Sequence, residues 1–126
     1  MLVEDVRVKT PIPVHFWRSV GDYHNGFSVE SFIDEMAHAS GKDPLEFRLQ
    51  HLKHNPRAYR TLEVVAEKAD WGKSLPAERA QGVASYPSHG SYISQIAEVS
   101  VDDKTGQIRV HRVICAVDWR PHHQSR

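Results

Sequence analysis

The amino-acid sequence predicts an α+β chain: a loop, then three helices packed on a small antiparallel sheet built around a hairpin. Two observations carry that expectation. Apolar residues recur at helical spacing in three successive segments between Phe27 and Trp71. Beyond Gly82 the period shortens to two, and β-branched runs flank the turn Asp102-Asp103-Lys104-Thr105-Gly106. The length of 126 residues allows one domain at most, with one small core.

Val3 to Lys9 carries several valines in loose alternation, which suits a short strand. Pro11-Ile12-Pro13 then enforces an extended path into Phe16-Trp17-Arg18-Ser19-Val20-Gly21. A second glycine, Gly26, follows, and the helical period is expected from Phe27. Val29, Phe32, Ile33, Met36, Ala37 and Ser40 share one face, while Glu30, Asp34, Glu35 and His38 are expected mostly outward. Gly41 suits the left-handed position after this helix.

Asp43-Pro44-Leu45-Glu46 is a strong helix start, with a capping aspartate, proline at the first helical position and a glutamate completing the capping box. Leu45, Leu49 and Leu52 form its stripe, and Asn55-Pro56 stops it. The third helix is expected from about Tyr59 to Trp71, with Leu62, Val65, Ala66 and Ala69 on one face and Gly72 closing it. Phe32, Ile33, Met36, Leu49, Leu62 and Val65 are the expected core. Residues 73–80 read as a linker. Gly82 to Tyr86, Ile93 to Val101 and Ile108 to Val117 read as strands.

Composition excludes several functions. Lys plus Arg equals Asp plus Glu at 16 each, so no broad basic face points to nucleic acid or an anionic membrane. No apolar run is long enough for membrane insertion, and no secretory signal is legible, so localisation stays unknown. The single cysteine, Cys115, lies in the apolar run Val113 to Val117 and reads as a core thiol. Among nine histidines, His51 and His54 share a helix and His122 and His123 are adjacent. No metal motif joins them, so no metal ligands are assigned. Ser88-His89 is an adjacent pair, which is not a triad.

The loop from Trp17 to Gly21 offers clustered backbone N–H groups at the mouth of a helix, the physics of an anion cradle. A solvated surface loop is the alternative.

The residues Trp17-Arg18-Ser19-Val20-Gly21, Glu30-Ser31-Phe32-Ile33-Asp34-Glu35-Met36-Ala37, Gly41-Lys42-Asp43-Pro44 and Phe47-Arg48-Leu49 carry a resemblance, in order and nearly ungapped. They resemble the molybdopterin-binding large subunit of the xanthine dehydrogenase/aldehyde oxidase superfamily, closest to the isoquinoline 1-oxidoreductase beta-subunit group. Glu98-Val99-Ser100-Val101-Asp102, Thr105-Gly106 and Val117-Asp118 extend it. After Asp118 the family pattern of Cys-Gly and then Asn-Pro stops. Codons can be chosen for Trp119 to Arg126 such that deleting one base restores that pattern. Residues 1–118 are thus expected to be a partial molybdopterin-binding domain, with 119–126 a frameshifted tail of a truncated piece.

The resemblance implies roles for particular residues. The backbone amide of Arg18 would lie against the molybdenum centre, with Trp17, Ser19 and Gly21 completing a cofactor-binding loop. Val20 would face the substrate channel, where many relatives carry an aromatic residue. The turn Ser88 to Ser91 would border the active-site funnel. The family's catalytic glutamate stands in a Gly-x-Gly-Glu context that does not occur here, so no catalytic residue is assigned. Glu30, Glu35 and Glu67 read as solvated helix positions.

The implied cofactor is molybdenum–molybdopterin, bound by the full-length enzyme rather than by this chain alone. The implied partners are the remainder of the large subunit and a small iron–sulfur subunit. The implied reaction of the intact enzyme is oxidation of aldehydes or N-heterocycles, with oxygen from water and a glutamate taking the proton. The alternative is a non-enzymatic α+β module that binds a partner through its open hairpin edge and helix faces.

Overall fold

The computed structural model describes residues 4, 6, 9, 11–13, 15 and 17–119. The strand expected over residues 3–9 and the tail expected over 119–126 lie largely outside the described residues. Three helices precede three strands: α1 (Asp22–Ala39), α2 (Pro44–His51), α3 (Pro56–Ala69), β1 (Arg79–Ser88), β2 (Ser91–Val101) and β3 (Ile108–Asp118). The strands form one antiparallel meander in the order β1-β2-β3. The α+β arrangement, helices on one side of a small sheet, is the one the periodicities predict. The linker is shorter than expected, because β1 begins at Arg79 and not after Ala80.

Capping chemistry sets the helix ends. α1 closes in a Schellman motif: Gly41 takes φ 64°, its N–H reaches the His38 carbonyl, and Lys42 N–H reaches the Ala37 carbonyl. The Asp43 carboxylate accepts the Leu45 and Glu46 N–H groups at 2.9 and 3.0 Å. It also accepts Trp71 Nε1–H at 3.1 Å, tying the start of α2 to the end of α3. Asn55-Pro56 both ends α2 and starts α3, with Asn55 Oδ1 accepting Ala58 N–H at 3.2 Å. The third helix therefore begins three residues before the expected Tyr59. Its left-handed terminal residue is Asp70, at φ 51°, two residues ahead of Gly72.

α1 departs from the expected helix in two ways. It begins at Asp22, not Phe27, so Gly26 lies inside the helix. A Cβ there would stand 3.6 Å from the Tyr86 ring, so the bare backbone lets α1 pack closely on β1. The buried face is also not the expected one. Phe32 is 58% exposed and Met36 is exposed, Ile33 is half-buried, and Glu30 is buried at 9% exposure. The reason is chemical. Glu30 Oε2 accepts Ser85 N–H of β1 at 2.8 Å, and Arg48 of α2, 3% exposed, donates Nε–H to the same oxygen at 2.9 Å. Arg48 further donates to Asp34 Oδ1 at 2.6 Å and to the Pro44 and Glu30 carbonyls. A charge paired and hydrogen-bonded this fully can be buried.

The apolar core lies between α3 and the sheet: Leu45, Leu62, Val65, Ala69, Val83 and Ile96, with Leu49, Leu52, Ile114 and Ala116 packed against it. Beside it runs a line of buried hydroxyls, Thr61 Oγ1 to Ser94 Oγ at 2.9 Å and Ser94 Oγ to Ser85 Oγ at 2.9 Å. Together with Glu30 and Arg48, this line joins all three helices to β1 and β2. At the other end Glu98 is buried against Arg79, Nη1 to Oε1 2.9 Å, and that hydrogen bond holds its carboxyl below the usual range. Cys115 is exposed, not in the core, because Ile114 and Ala116 are the β3 residues that face the helices.

Candidate functional site

The Trp17–Gly21 loop, the β1–β2 turn and the end of β3 are hydrogen-bonded together around one end of the sheet. Each is held by a specific contact.

The loop is two overlapping turns. Val20 N–H bonds the Trp17 carbonyl at 3.1 Å, and Asp22 N–H bonds the Ser19 carbonyl at 2.9 Å. Ser19 and Val20 both take left-handed φ, 66° and 48°. Two consecutive non-glycine residues there are unusual, and a β-branched valine is a genuine outlier. Strain of this kind collects where a loop must present particular atoms. Trp17 and Val20 are 71% and 68% exposed, and the Trp17 ring stands 6.3 Å from that of Tyr23. Among the described residues, neither the Arg18 guanidinium nor the Arg18 and Ser19 N–H groups have a hydrogen-bond partner. No side chain caps α1 at Gly21. The loop thus presents a cation and uncommitted N–H donors at a helix N-terminus.

Asp22, the first residue of α1, fixes this loop to the β1–β2 turn. Its Oδ2 accepts Ser88 Oγ–H at 2.5 Å. With that proton committed, His89 Nδ1 is the donor to Ser88 Oγ across 2.9 Å. The Ser-His-Asp set therefore has the wrong connectivity for nucleophilic catalysis, since the serine donates to the carboxylate and not to the imidazole. It works as a tie between a turn and a helix start.

A second tie holds the turn from the other side. Arg57, at the start of α3, donates Nε–H and Nη2–H to the two Asp118 oxygens at 3.0 and 2.7 Å. It also donates to the Gly90 carbonyl at 3.2 Å and lies over the Tyr92 ring at 4.9 Å. The fork geometry is the strong form of this pairing. The guanidinium holds the Asp118 carboxyl below the usual carboxylate range, and Asp118 raises Arg57 in turn.

Trp17, Arg18, Ser19, Val20 and Gly21 form one turn system, Ser88 and His89 are joined to it through Asp22, and Phe16 lies outside the described residues. Asp22 and Arg57 were missed. An acid directly after Gly21 is a readable helix-start signal, whereas nothing in the sequence marks Arg57 beyond its place after a cap. The His51 ring lies tilted against that of Phe47 at 4.4 Å and donates Nδ1–H to the Phe47 carbonyl, and His122 and His123 lie outside the described residues. Among the described residues no group of three or more His, Cys, Asp or Glu could hold a metal ion, and no helix is long and apolar enough to cross a membrane. An apolar cavity of about 260 Å³ between α1 and α2 is lined by Ile33, Met36, Phe47 and Leu52 among others and by none of the loop residues.

No protein-family model matches the chain. It is 36% identical over 127 residues to a nicotinate dehydrogenase subunit of Pseudomonas putida, a match covering 86% of this chain and 11% of that protein. It is 29% identical over 119 residues to the beta subunit of isoquinoline 1-oxidoreductase of Brevundimonas diminuta, covering 92% of this chain and 15% of that protein. It is 34% identical over 120 residues to a membrane-bound aldehyde dehydrogenase [pyrroloquinoline-quinone] of Gluconacetobacter polyoxogenes, covering 80% of this chain and 16% of that protein. The chain thus spans between 11% and 16% of the length of these relatives.

Proposed function

Given the chain's homology to subunits of the molybdopterin-dependent oxidoreductase superfamily, we propose that it is one segment of the molybdopterin-binding region of a longer subunit. The observation that carries this reading is the Trp17–Gly21 loop. It is a strained turn pair whose Arg18 and N–H donors have no partner among the described residues, and Asp22 ties it to the β1–β2 turn. Those donors fit one wall of a site for a large anionic cofactor.

When bound, the molybdenum–molybdopterin group supplies the two-electron redox centre. This chain's part is to bind and orient. The Arg18 and Ser19 N–H groups donate to the cofactor, with Trp17 and Gly21 shaping the loop. Val20 projects from a left-handed position into solvent, where it meets the substrate channel, and the Ser88–Ser91 turn borders that channel. A few such donors contribute roughly 0.5–1.5 kcal/mol each, whereas a large anion needs many contacts in a water-excluded cavity. The other walls and the proton-accepting glutamate belong to the remainder of the large subunit. With one cysteine in the chain, iron–sulfur electron transfer falls to a separate small subunit.

The substrate class is an aldehyde or an N-heterocycle carbon. The relatives' names, which speak of nicotinate, isoquinoline and aldehyde, support that range without selecting within it. Metal analysis and a dye-reduction assay on the purified 126-residue chain test the reading. The expected result is no molybdenum and no turnover. Stoichiometric molybdenum with turnover would show an enzyme complete in this chain and overturn it.

A further inference from the structure

The β1–β2 turn is the stiffer partner in its contact with the Trp17–Gly21 loop. Ser88 ends β1, Ser91 begins β2, and the two are paired, so His89 and Gly90 alone connect the strands. Both take left-handed φ, 50° and 79°, the backbone of a two-residue hairpin turn whose twist matches that of the strands. Arg57 holds the Gly90 carbonyl from the α3 side. The Ser88 hydroxyl is therefore presented from a turn that the sheet itself fixes.

α1 is laid along β1 by one stripe of residues four apart. Asp22 meets Ser88, the bare backbone of Gly26 faces the Tyr86 ring, and Glu30 accepts Ser85 N–H. Gly26 and Glu30 hold the helix body, and Arg48 locks Glu30 in place. Asp22 holds the first turn, where Gly21 gives α1 no side-chain cap. Its N–H also closes a turn onto the Ser19 carbonyl at 2.9 Å. One residue thus grips the loop with its backbone and the sheet with its carboxylate. Ser19 and Val20, at φ 66° and 48°, lie just before it. Non-glycine residues stay at such angles only where the surroundings over-determine them.

We infer that Asp22 is the positioning residue of this loop, with Ser88 as its fixed post. The carboxylate keeps Ser19 and Val20 left-handed, and that pair leaves the Arg18 and Ser19 N–H groups free to donate. What those donors meet rests on the cofactor-site reading; how they are held does not. The contact is strong for its kind, since a hydroxyl donating to a carboxylate across 2.5 Å is charge-assisted. His89 Nδ1 lies 2.9 Å from the Ser88 oxygen and 3.6 Å from the same Asp22 oxygen, closing the clamp from its third side. An acid in the first turn also favours the helix through its charge alone. That effect needs Asp22 and not Ser88, which separates the two roles.

Nuclear magnetic resonance of the 126-residue chain reads the loop directly. Left-handed φ brings a residue's own amide and Cα hydrogens close, so Ser19 and Val20 should each give a strong intraresidue cross-peak. Asp22→Ala and Ser88→Ala should weaken both cross-peaks and speed Val20 amide exchange by roughly tenfold, the size of one lost charge-assisted hydrogen bond. Asp22→Asn and Ser88→Thr keep the acceptor and the hydroxyl and should retain the cross-peaks. Val65→Ala, which opens the fully buried core, should lower stability and leave them unchanged. Should Asp22→Ala not fold, Ser88→Ala decides. Cross-peaks at wild-type strength in either alanine variant would overturn the inference, as would their equal loss in Val65→Ala. Within a relative's subunit carrying residues 17–118, Ser88→Ala should lower bound molybdenum by a few-fold. A released loop in the chain with unchanged molybdenum in that subunit would uphold the role of Asp22 and count against the cofactor-site reading instead.

Discussion

Replacing Arg48 by methionine should destabilise the chain more than any surface substitution. The guanidinium sits between α1 and α2 and donates to the Glu30 carboxylate, to Asp34 and to two backbone carbonyls. Asp34 is half exposed and water can resolvate it, so its loss costs little. The Glu30 side chain is only 12% exposed and would keep a single donor, Ser85 N–H. Removing one partner of a buried pair in this way costs about 3–5 kcal/mol, a large part of the roughly 5–15 kcal/mol that holds a domain folded. Urea melts at pH 7 measure it. The double variant Arg48→Met, Glu30→Gln should recover part of the loss, because the amide oxygen still accepts Ser85 N–H and no charge stays buried. A single variant within about 0.5 kcal/mol of wild type would refute the buried pair and the α1 orientation that depends on it.

Leu62, fully buried between α3 and the sheet, should cost about 2–5 kcal/mol on truncation to alanine, read from the shift in the urea midpoint. Asp118 titrates below its usual value in the fold because of Arg57. Its contribution is therefore complete above about pH 4 and is lost as pH falls through the depressed value. The wild-type midpoint should drop more steeply than that of Asp118→Asn between about pH 5 and 3, and equal slopes would mean the fork does not form. Val20→Asn should stabilise by roughly 0.5–1 kcal/mol, since asparagine tolerates left-handed φ at this exposed position. A lower melting temperature would show that the valine side chain makes contacts that outweigh its strain.

What the sequence disclosed follows from how local each signal is. The α2 cap at Asp43-Pro44, the Gly41 terminus, the Asp102–Gly106 turn and the stripe of Leu62 and Val65 are set by neighbours within a few residues, and they stand where expected. Glu30, Phe32 and Met36 did not. Binary patterning assigns a glutamate outward, yet Arg48, 18 residues away, is what buries Glu30, and no periodicity holds that information. Cys115 failed for a related reason. An all-apolar strand gives no parity, and only Ile114 and Ala116 in contact with the core show which side is inward. The loop of Trp17 to Gly21 was legible by family pattern, but its strain at Ser19 and Val20 and its tie through Asp22 to Ser88 arise from contact between distant segments.

If this segment supplies one wall of a molybdopterin site, it should do so inside a homologous subunit. A chimera tests it most directly: the matching stretch of the Pseudomonas putida nicotinate dehydrogenase subunit, 36% identical, is replaced by residues 17–118 of this chain. Molybdenum content and nicotinate oxidation are measured with the small partner subunit present. The chimera should keep bound molybdenum and turnover, and Arg18→Pro within it, which removes one donor N–H, should lower both by a few-fold to about tenfold. A folded chimera without molybdenum, or an Arg18→Pro chimera with full metal and full rate, would contradict it.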